Sequence, residues 1–144
     1  MMIDYSLSGS SIEHLFCHEA NQRGFRTYKP NEDGSTKDII LENNDGVLVS
    51  VQIKKATYFD NKKYVTSKYK KHYGPNHFDV YAMCLLETDQ APKWVFSCFP
   101  KFISSFTPKP KTKKAKSIKF NNWEVFDDAF NHAKSCRIMQ SVES

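Results

Sequence analysis

Lys37-Asp38-Ile39-Ile40-Leu41 and, beyond a short turn, Val51-Gln52-Ile53-Lys54 are the stretches that decide how this chain folds. Between them lies Asn43-Asn44-Asp45-Gly46. Asn and Asp tolerate turn backbone and Gly supplies positive φ, so this tetrapeptide closes a hairpin. In the second arm Val47, Val49, Val51 and Ile53 alternate with Leu48, Ser50, Gln52 and Lys54. Strand periodicity sends the two sets to opposite faces. Gln52 and Lys54 therefore share a face, Lys55 is turned away, and Asp38 shares a face with Ile40 on the partner arm. Strands over about 36–42 and 47–54 would bring a carboxylate, an amide oxygen and an ammonium together at one edge of a sheet. Such a trio can hold a divalent cation beside a phosphate.

Working outward, Ile12, Leu15, Phe16 and Ala20 recur at helical spacing and predict a helix near 11–23. Ser10 or Ser11 would cap it, Gly24 would end it, and Glu13 would sit in its first turn. Phe25–Tyr28 reads as a short strand stopped by Lys29-Pro30, and Asn31 to Ser35 as a loop. After Lys54, Tyr58, Tyr64, Tyr69 and Tyr73 alternate with lysines. A helix over roughly 60–72 suits this crossover segment, although its β-branched and aromatic residues disfavour one. Phe78–Leu86 is a continuous apolar run, as in a strand buried on both faces, and Lys93–Phe99 reads as its neighbour, closed by Pro100. A basic loop is expected over about 104–120. Trp123, Phe126, Ala129, Phe130 and Ala133 then predict a last helix over about 122–135. The order helix, three strands, crossover, two strands, helix gives an α/β fold with a central mixed sheet flanked by helices.

The 144 residues, 40% hydrophobic and 14% aromatic, suit one packed domain over 1–144. No apolar run approaches the ~20 residues of a membrane span. Met1-Met2-Ile3-Asp4-Tyr5 lacks a secretory pattern, so an intracellular protein, cytoplasmic or nucleoid-associated, is expected. Cys17, Cys84, Cys98 and Cys136 are scattered and share no C-x-x-C spacing, which favours reduced thiols. His14, Cys17 and His18 offer three zinc donors on one helix but no distant fourth.

The net charge of +5 is unevenly spread. Residues 53–72 carry seven lysines and one acid, Asp60, and residues 101–120 carry seven lysines and no acid. Two lysine-rich segments in an otherwise acidic chain are the footprint of a polyanion-binding surface. The bland alternative is a pair of solvated loops. Lys55, Lys62, Lys63, Lys68, Lys70 and Lys71 in the first segment, and Lys109, Lys111, Lys113, Lys114 and Lys116 in the second, are the candidate DNA contacts. Lysine outnumbers arginine 18 to 3. That balance favours backbone phosphates over bidentate base readout, leaving Arg23, Arg26 and Arg137 for directional contacts.

The layout resembles the PD-(D/E)XK nuclease superfamily: Glu13 on a helix, Asp38 at a strand start, and Gln52-Ile53-Lys54 on the next strand. The downstream His77-Phe78-Asp79-Val80-Tyr81-Ala82 is similar to the D-F-D-hydrophobic strand of small members whose third motif is also Q-x-K. Trp94-Val95-Phe96, running to Phe99-Pro100, is similar to their Y-V-I-P strand. The likeness spans roughly residues 9 to 100. It implies a restriction-endonuclease-like αβββαβ core and a Mg²⁺ ion, replaceable by Mn²⁺. Asp38, Gln52, the Ile53 backbone carbonyl and Glu13 would be its ligands, with Lys54 the working lysine. Asp79 would support the strand end, and Ser35, Thr36 and Lys37 would adjoin the phosphate. The chain departs from the commonest pattern at Gln52, where an acid is usual, so the site would have two carboxylates instead of three.

The resemblance implies a metal-dependent DNA endonuclease acting on double-stranded DNA, of a homing or mobile-element type. A Holliday junction resolvase is the alternative within the class, and a non-catalytic nucleic-acid-binding protein on a nuclease fold the alternative outside it. Each residue also has a plain structural explanation: Glu13 as a helix-dipole partner, Asp38 as a loop cap, Gln52 and Lys54 as exposed hairpin positions. Cutting two strands calls for two sites, hence a homodimer or higher homo-oligomer. The strand at 78–86, the last helix, or Phe99, Phe102 and Phe106 are its candidate interfaces.

Overall fold

Alternating valines and an isoleucine over 47–53 build the strand around which the other elements are arranged. The computed structural model describes residues 9–30, 38–59, 61–62, 64–67, 78–87, 89–98, 101–107 and 118–143, with backbone only for 9–10 and 137–143. In chain order the elements are α1 (Gly9–Gln22), β1 (Arg26–Tyr28), β2 (Ile39–Glu42), β3 (Leu48–Phe59), β4 (Tyr64–Ser67), β5 (Val80–Leu85), β6 (Lys93–Cys98), β7 (Ser105–Phe106) and α2 (Glu124–Glu143).

The strands form one seven-stranded sheet in which β1, β2, β3, β4 and β7 follow one another, while β5 lies beside β3 and β6 beyond it. Only the β3–β5 pairing is parallel among the described residues; it runs from Val51↔Val80 to Ala56↔Leu85. β2 takes Leu48 to Val51 of β3, and β4 takes Ala56 to Phe59. A strand has two edges, and β5 overlaps both partners. β2 and β4 must therefore share the opposite edge, leaving Gln52 to Lys55 in a fork between them.

Val49, Val51 and Ile53 of β3 face both helices. Ile12, Phe16 and Ala20 of α1 and Phe126, Ala129 and Phe130 of α2 pack on Val49, Val51, Ile53, Val80, Ala82, Trp94 and Phe96. Phe16, fully buried, is the pivot: it meets Trp94 edge-on at 5.5 Å and stacks on Trp123 at 5.7 Å. The opposite face carries a second core of Ala56, Val65, Tyr81, Met83, Leu85 and Val95, covered by Phe102, Ile103, Phe106, Ile118 and Phe120. No helix is long and apolar enough to cross a membrane among the described residues.

Several expectations need correction. The helix considered over 60–72 is a strand at Tyr64–Ser67. Asn61 and Lys62 adopt φ of 53° and 65° and fold the chain back, and Val65 is buried against the second core. β3 consequently runs five residues past Lys54. α1 begins at Gly9, so Ser10 and Ser11 lie inside it and Glu13 lies beyond its first turn; the helix-dipole explanation of Glu13 weakens accordingly. α2 continues to Glu143, well past 135. Ser105–Phe106, within the expected basic loop, pairs with β4 as β7. β5 is buried and hydrogen-bonded on both edges, which removes the 78–86 strand as an interface. Asn31 to Ser35, Lys63, Lys68, Lys70, Lys71, Phe99, Lys109, Lys111, Lys113, Lys114 and Lys116 lie outside the described residues.

Two terminations follow the expected chemistry. At the end of α1, Gly24 (φ 91°) donates to the Asn21 carbonyl and Phe25 to the Ala20 carbonyl, both at 3.1 Å. That is a Schellman cap. In the β2–β3 turn, Asn43 Oδ1 accepts from Asp45 N at 3.0 Å and Val47 N at 2.9 Å, and Gly46 has φ of 76°. On the edge of β6 away from β5, Asn121 Oδ1 accepts from Trp94 N at 2.9 Å while Asn121 N donates to Trp94 O at 2.7 Å.

Phe16→Ala should lower unfolding free energy by about 3–5 kcal/mol in urea titrations, the cost of a large aromatic lost from a packed core. Gly24→Ala should cost about 1–2 kcal/mol. Nothing lies within 4 Å of an added Cβ there, so this penalty is the backbone conformation alone.

Candidate active site

The fork in β3 places a backbone donor where no strand can reach it. Asp38 serves that donor. Its own N–H donates to Val51 O at 2.9 Å, fixing the residue at the entrance to β2. Its Oδ2 then accepts from Ile53 N at 2.8 Å and from Gln52 Nε2 at 2.9 Å. In an extended strand the N–H and C=O of one residue leave on the same side, so the Ile53 carbonyl faces the fork as well. A cavity of about 260 Å³ opens here, lined by Ile12, Glu13, Asp38, Gln52, Ile53, Lys54 and Lys55. The helix and hairpin thus bring Glu13, Asp38, Gln52 and Lys54 to one cavity.

Burial pushes the Asp38 carboxyl above its ordinary value; the Ile53 N–H opposes the rise, Glu13 adds to it, and Lys54 and Lys29 reduce it. Glu13 is held from the other side by Lys29, whose Nζ is 3.8 Å away. Gln52 is only 4% exposed, and its Oε1 is buried with no hydrogen-bond partner. An orphaned buried carbonyl is costly. Here it stands beside a carboxylate that burial disfavours and within the field of a second one. Oxygen donors of this kind fit a hard divalent cation, which would relieve all three groups. Among the described residues no three His, Cys, Asp or Glu side chains form a metal-binding cluster; the site offers two carboxylates and an amide.

Other residues support the site without entering it. Asp79 Oδ2 accepts from Ser50 N at 2.8 Å and Ser50 Oγ at 3.1 Å, and Asp79 N donates to Ser50 O at 3.0 Å. This fastens the start of β5 to β3, two residues before Gln52, and agrees with the supporting role expected for Asp79. Lys29, Thr57, Thr66 and Ser67 were not singled out from sequence. Lys29 read only as a strand stop before Pro30. The other three line a groove with Lys54 and Lys55, and no motif marks them; the β-branched run around Thr66 was the available signal for β4. Lys62 lies over the Tyr58 ring at 5.5 Å. Tyr58 in turn donates to Glu87 Oε1 at 2.9 Å, and Lys93, bonded to Glu87, leads in holding that carboxyl below its usual value.

No family model matches this chain, and no curated protein matches it. Among solved structures it is similar to a bacterial homing endonuclease, I-Ssp6803I, with a TM-score of 0.66 and 15% identity, over 92% of this chain and 98% of that one. At that identity the likeness shows a shared fold, and it extends over nearly both chains. The α/β fold expected from the order of elements, and the restriction-endonuclease-like architecture that the resemblance implied, are thus observed.

Asp38→Ala should destabilise the chain by about 1–3 kcal/mol, because Ile53 N–H and Gln52 Nε2 both lose their acceptor. The pH dependence has a definite sign. The Asp38 carboxyl titrates near 3.8 when unfolded and higher when folded, so the folded state holds its proton longer. Wild-type stability relative to Asp38→Asn should fall as pH rises from 3.8 through the folded value, then level off. Urea midpoints of the two proteins, measured in metal-free buffer across acid to neutral pH, check this.

Proposed function

We propose that this chain is a divalent-metal-dependent DNA endonuclease that hydrolyses phosphodiester bonds in double-stranded DNA, of a homing or mobile-element type, and that it works as a homodimer or higher oligomer. One observation carries the proposal: the Asp38 carboxylate joined to Gln52 and the Ile53 N–H in the β3 fork, at a cavity shared with Glu13 and Lys54. The fold shared with a bacterial homing endonuclease supports it, as do the two lysine-rich segments.

Asp38, Gln52, the Ile53 carbonyl and Glu13 would hold Mg²⁺, with Mn²⁺ able to replace it. When bound, the ion supplies Lewis-acid charge neutralisation for the phosphodiester and the attacking water. The chain's own residues do the rest. Asp38 keeps its carboxylate aimed by accepting from Ile53 N–H, so one oxygen is pinned and the other is left for the reacting centre. Glu13 brings a second negative charge from α1. Lys54, on the same strand face as Gln52, orients the water, accepts or passes its proton, and offsets charge building on the phosphate. The lysines after Lys54 hold the flanking DNA backbone.

A second function has one observation in its favour. Gln52 brings no charge, and its Nε2 rather than its oxygen meets Asp38, an arrangement suited to a fold that binds DNA without cutting it. Supercoiled plasmid, a four-way junction and single-stranded DNA, each incubated with Mg²⁺, Mn²⁺ or EDTA, separate the two. Metal-dependent cleavage of plasmid is expected, with Asp38→Ala and Lys54→Ala each slowing it at least about 100-fold while DNA binding persists. Preferential cutting of the junction would assign the resolvase role instead. Full activity in EDTA or in Asp38→Ala would refute the mechanism, and binding without cleavage of any substrate would favour the non-catalytic function. Independently of activity, Mg²⁺ or Mn²⁺ should raise the melting temperature of the wild type and not that of Asp38→Asn.

A further inference from the structure

β3 does not stop at the candidate site. It runs from Gln52 and Lys54 to Phe59, turns through Asn61 and Lys62, and returns as β4. The two faces of this hairpin differ. Ala56 and Val65 are buried on the second core, with Tyr58 packed beside them. Thr57 and Phe59 on β3, paired with Thr66 and Tyr64 on β4, point the other way. Phe59 is 64% exposed and Tyr64 46%, so two large aromatic rings stand side by side at the tip with little packed on them. Below them an open groove of about 560 Å³ is lined by Lys54, Lys55, Thr57, Thr66 and Ser67. It joins the site cavity through Lys54 and Lys55. No carboxylate lines it among the described residues.

We propose that this hairpin face is a DNA-tracking surface: the groove carries the phosphate backbone of duplex DNA away from the site, and Phe59 and Tyr64 enter the DNA groove beside it. The proposal rests on the nuclease function above, and names the element that holds its substrate. The Lys54 and Lys55 ammonium groups and the Thr57 and Thr66 hydroxyls that line the groove suit a row of phosphates. A two-stranded β-ribbon has the width to enter the major groove. Exposed aromatics at its tip offer flat apolar faces to sugars and base edges, surface that water alone covers poorly. Five strand residues separate Lys54 from Phe59, about 17 Å at ~3.4 Å per residue. With the duplex lying along the strand, the aromatic contact falls about five base pairs from the cut phosphate.

The test is binding, measured without cleavage. Fluorescence anisotropy of a labelled duplex of arbitrary sequence is titrated with protein in EDTA at low salt. Phe59→Ala/Tyr64→Ala, whose rings are too exposed to hold the fold, should keep the wild-type urea midpoint and lose at least about tenfold in affinity. Phe59→Trp should show its emission quenched or shifted when duplex is added, a signal that the buried Trp94 and Trp123 would not give. A double variant binding within about twofold of wild type, with unchanged emission from Phe59→Trp, overturns the proposal and leaves the nuclease function untouched. Loss of self-association in the double variant at unchanged DNA affinity also overturns it, making the tip a contact between copies. Failure of wild type to bind duplex overturns it as well. Binding that follows the expected pattern in a protein that cuts nothing sinks the nuclease function and leaves the hairpin surface standing.

Discussion

The site depends on one hydrogen bond, from the Ile53 amide to the Asp38 carboxylate at 2.8 Å. β3 is longer than any neighbour, and its far edge is shared by two short strands that do not meet. A gap in a sheet exposes backbone groups that must find partners. Filling that gap with a side-chain carboxylate rather than another strand turns a structural necessity into a charged pocket. The same contact fixes where β2 begins, holds Gln52 by its amide, and sets the carboxylate against Glu13 from the helix layer. Fold and candidate chemistry therefore share a single constraint.

The two cores divide the labour. The helix-side core centres on Phe16 and anchors the N-terminal half of β3. The second core, capped by 101–106 and 118–120, supports its C-terminal half. The candidate site sits where these supports change over, on the part of β3 braced from both faces and clamped to β5 by the Ser50–Asp79 pair. A reacting group gains from such bracing, because small displacements weaken its alignment. The hairpin beyond keeps packing on one face only.

Much of this was legible in the chain. Alternation over 47–54 located the strand, its inward face and the shared side of Gln52 and Lys54, because a strand's period of two is rigid. Asn43 to Gly46 and Gly24 marked turns whose backbone only a few residues tolerate. Glu13 joined Asp38 and Gln52-Ile53-Lys54 only through the family resemblance, and the structure places all of them at one cavity. The segment after Lys54 was harder. Lysines and tyrosines at irregular spacing match a helix about as well as a strand, and what decided for β4 was distant: Val65 finds its place against residues of β5 and β6, a contact no local pattern encodes. The orientation of the Gln52 amide was equally hidden, being set by Asp38 across the fork. Asn121 as a partner for Trp94 had no signal either, since 27 residues separate them.

That last pairing bears on how copies of the molecule can meet. Strands with bare edges invite intruding strands, the usual start of unwanted stacking. At β6 the outward N–H and C=O of Trp94 are both taken by Asn121, and the Cys98 carbonyl is taken by Lys101. Around Trp94 an incoming chain therefore finds the backbone groups it would need already occupied, which closes that stretch of the flank to a recruited neighbour.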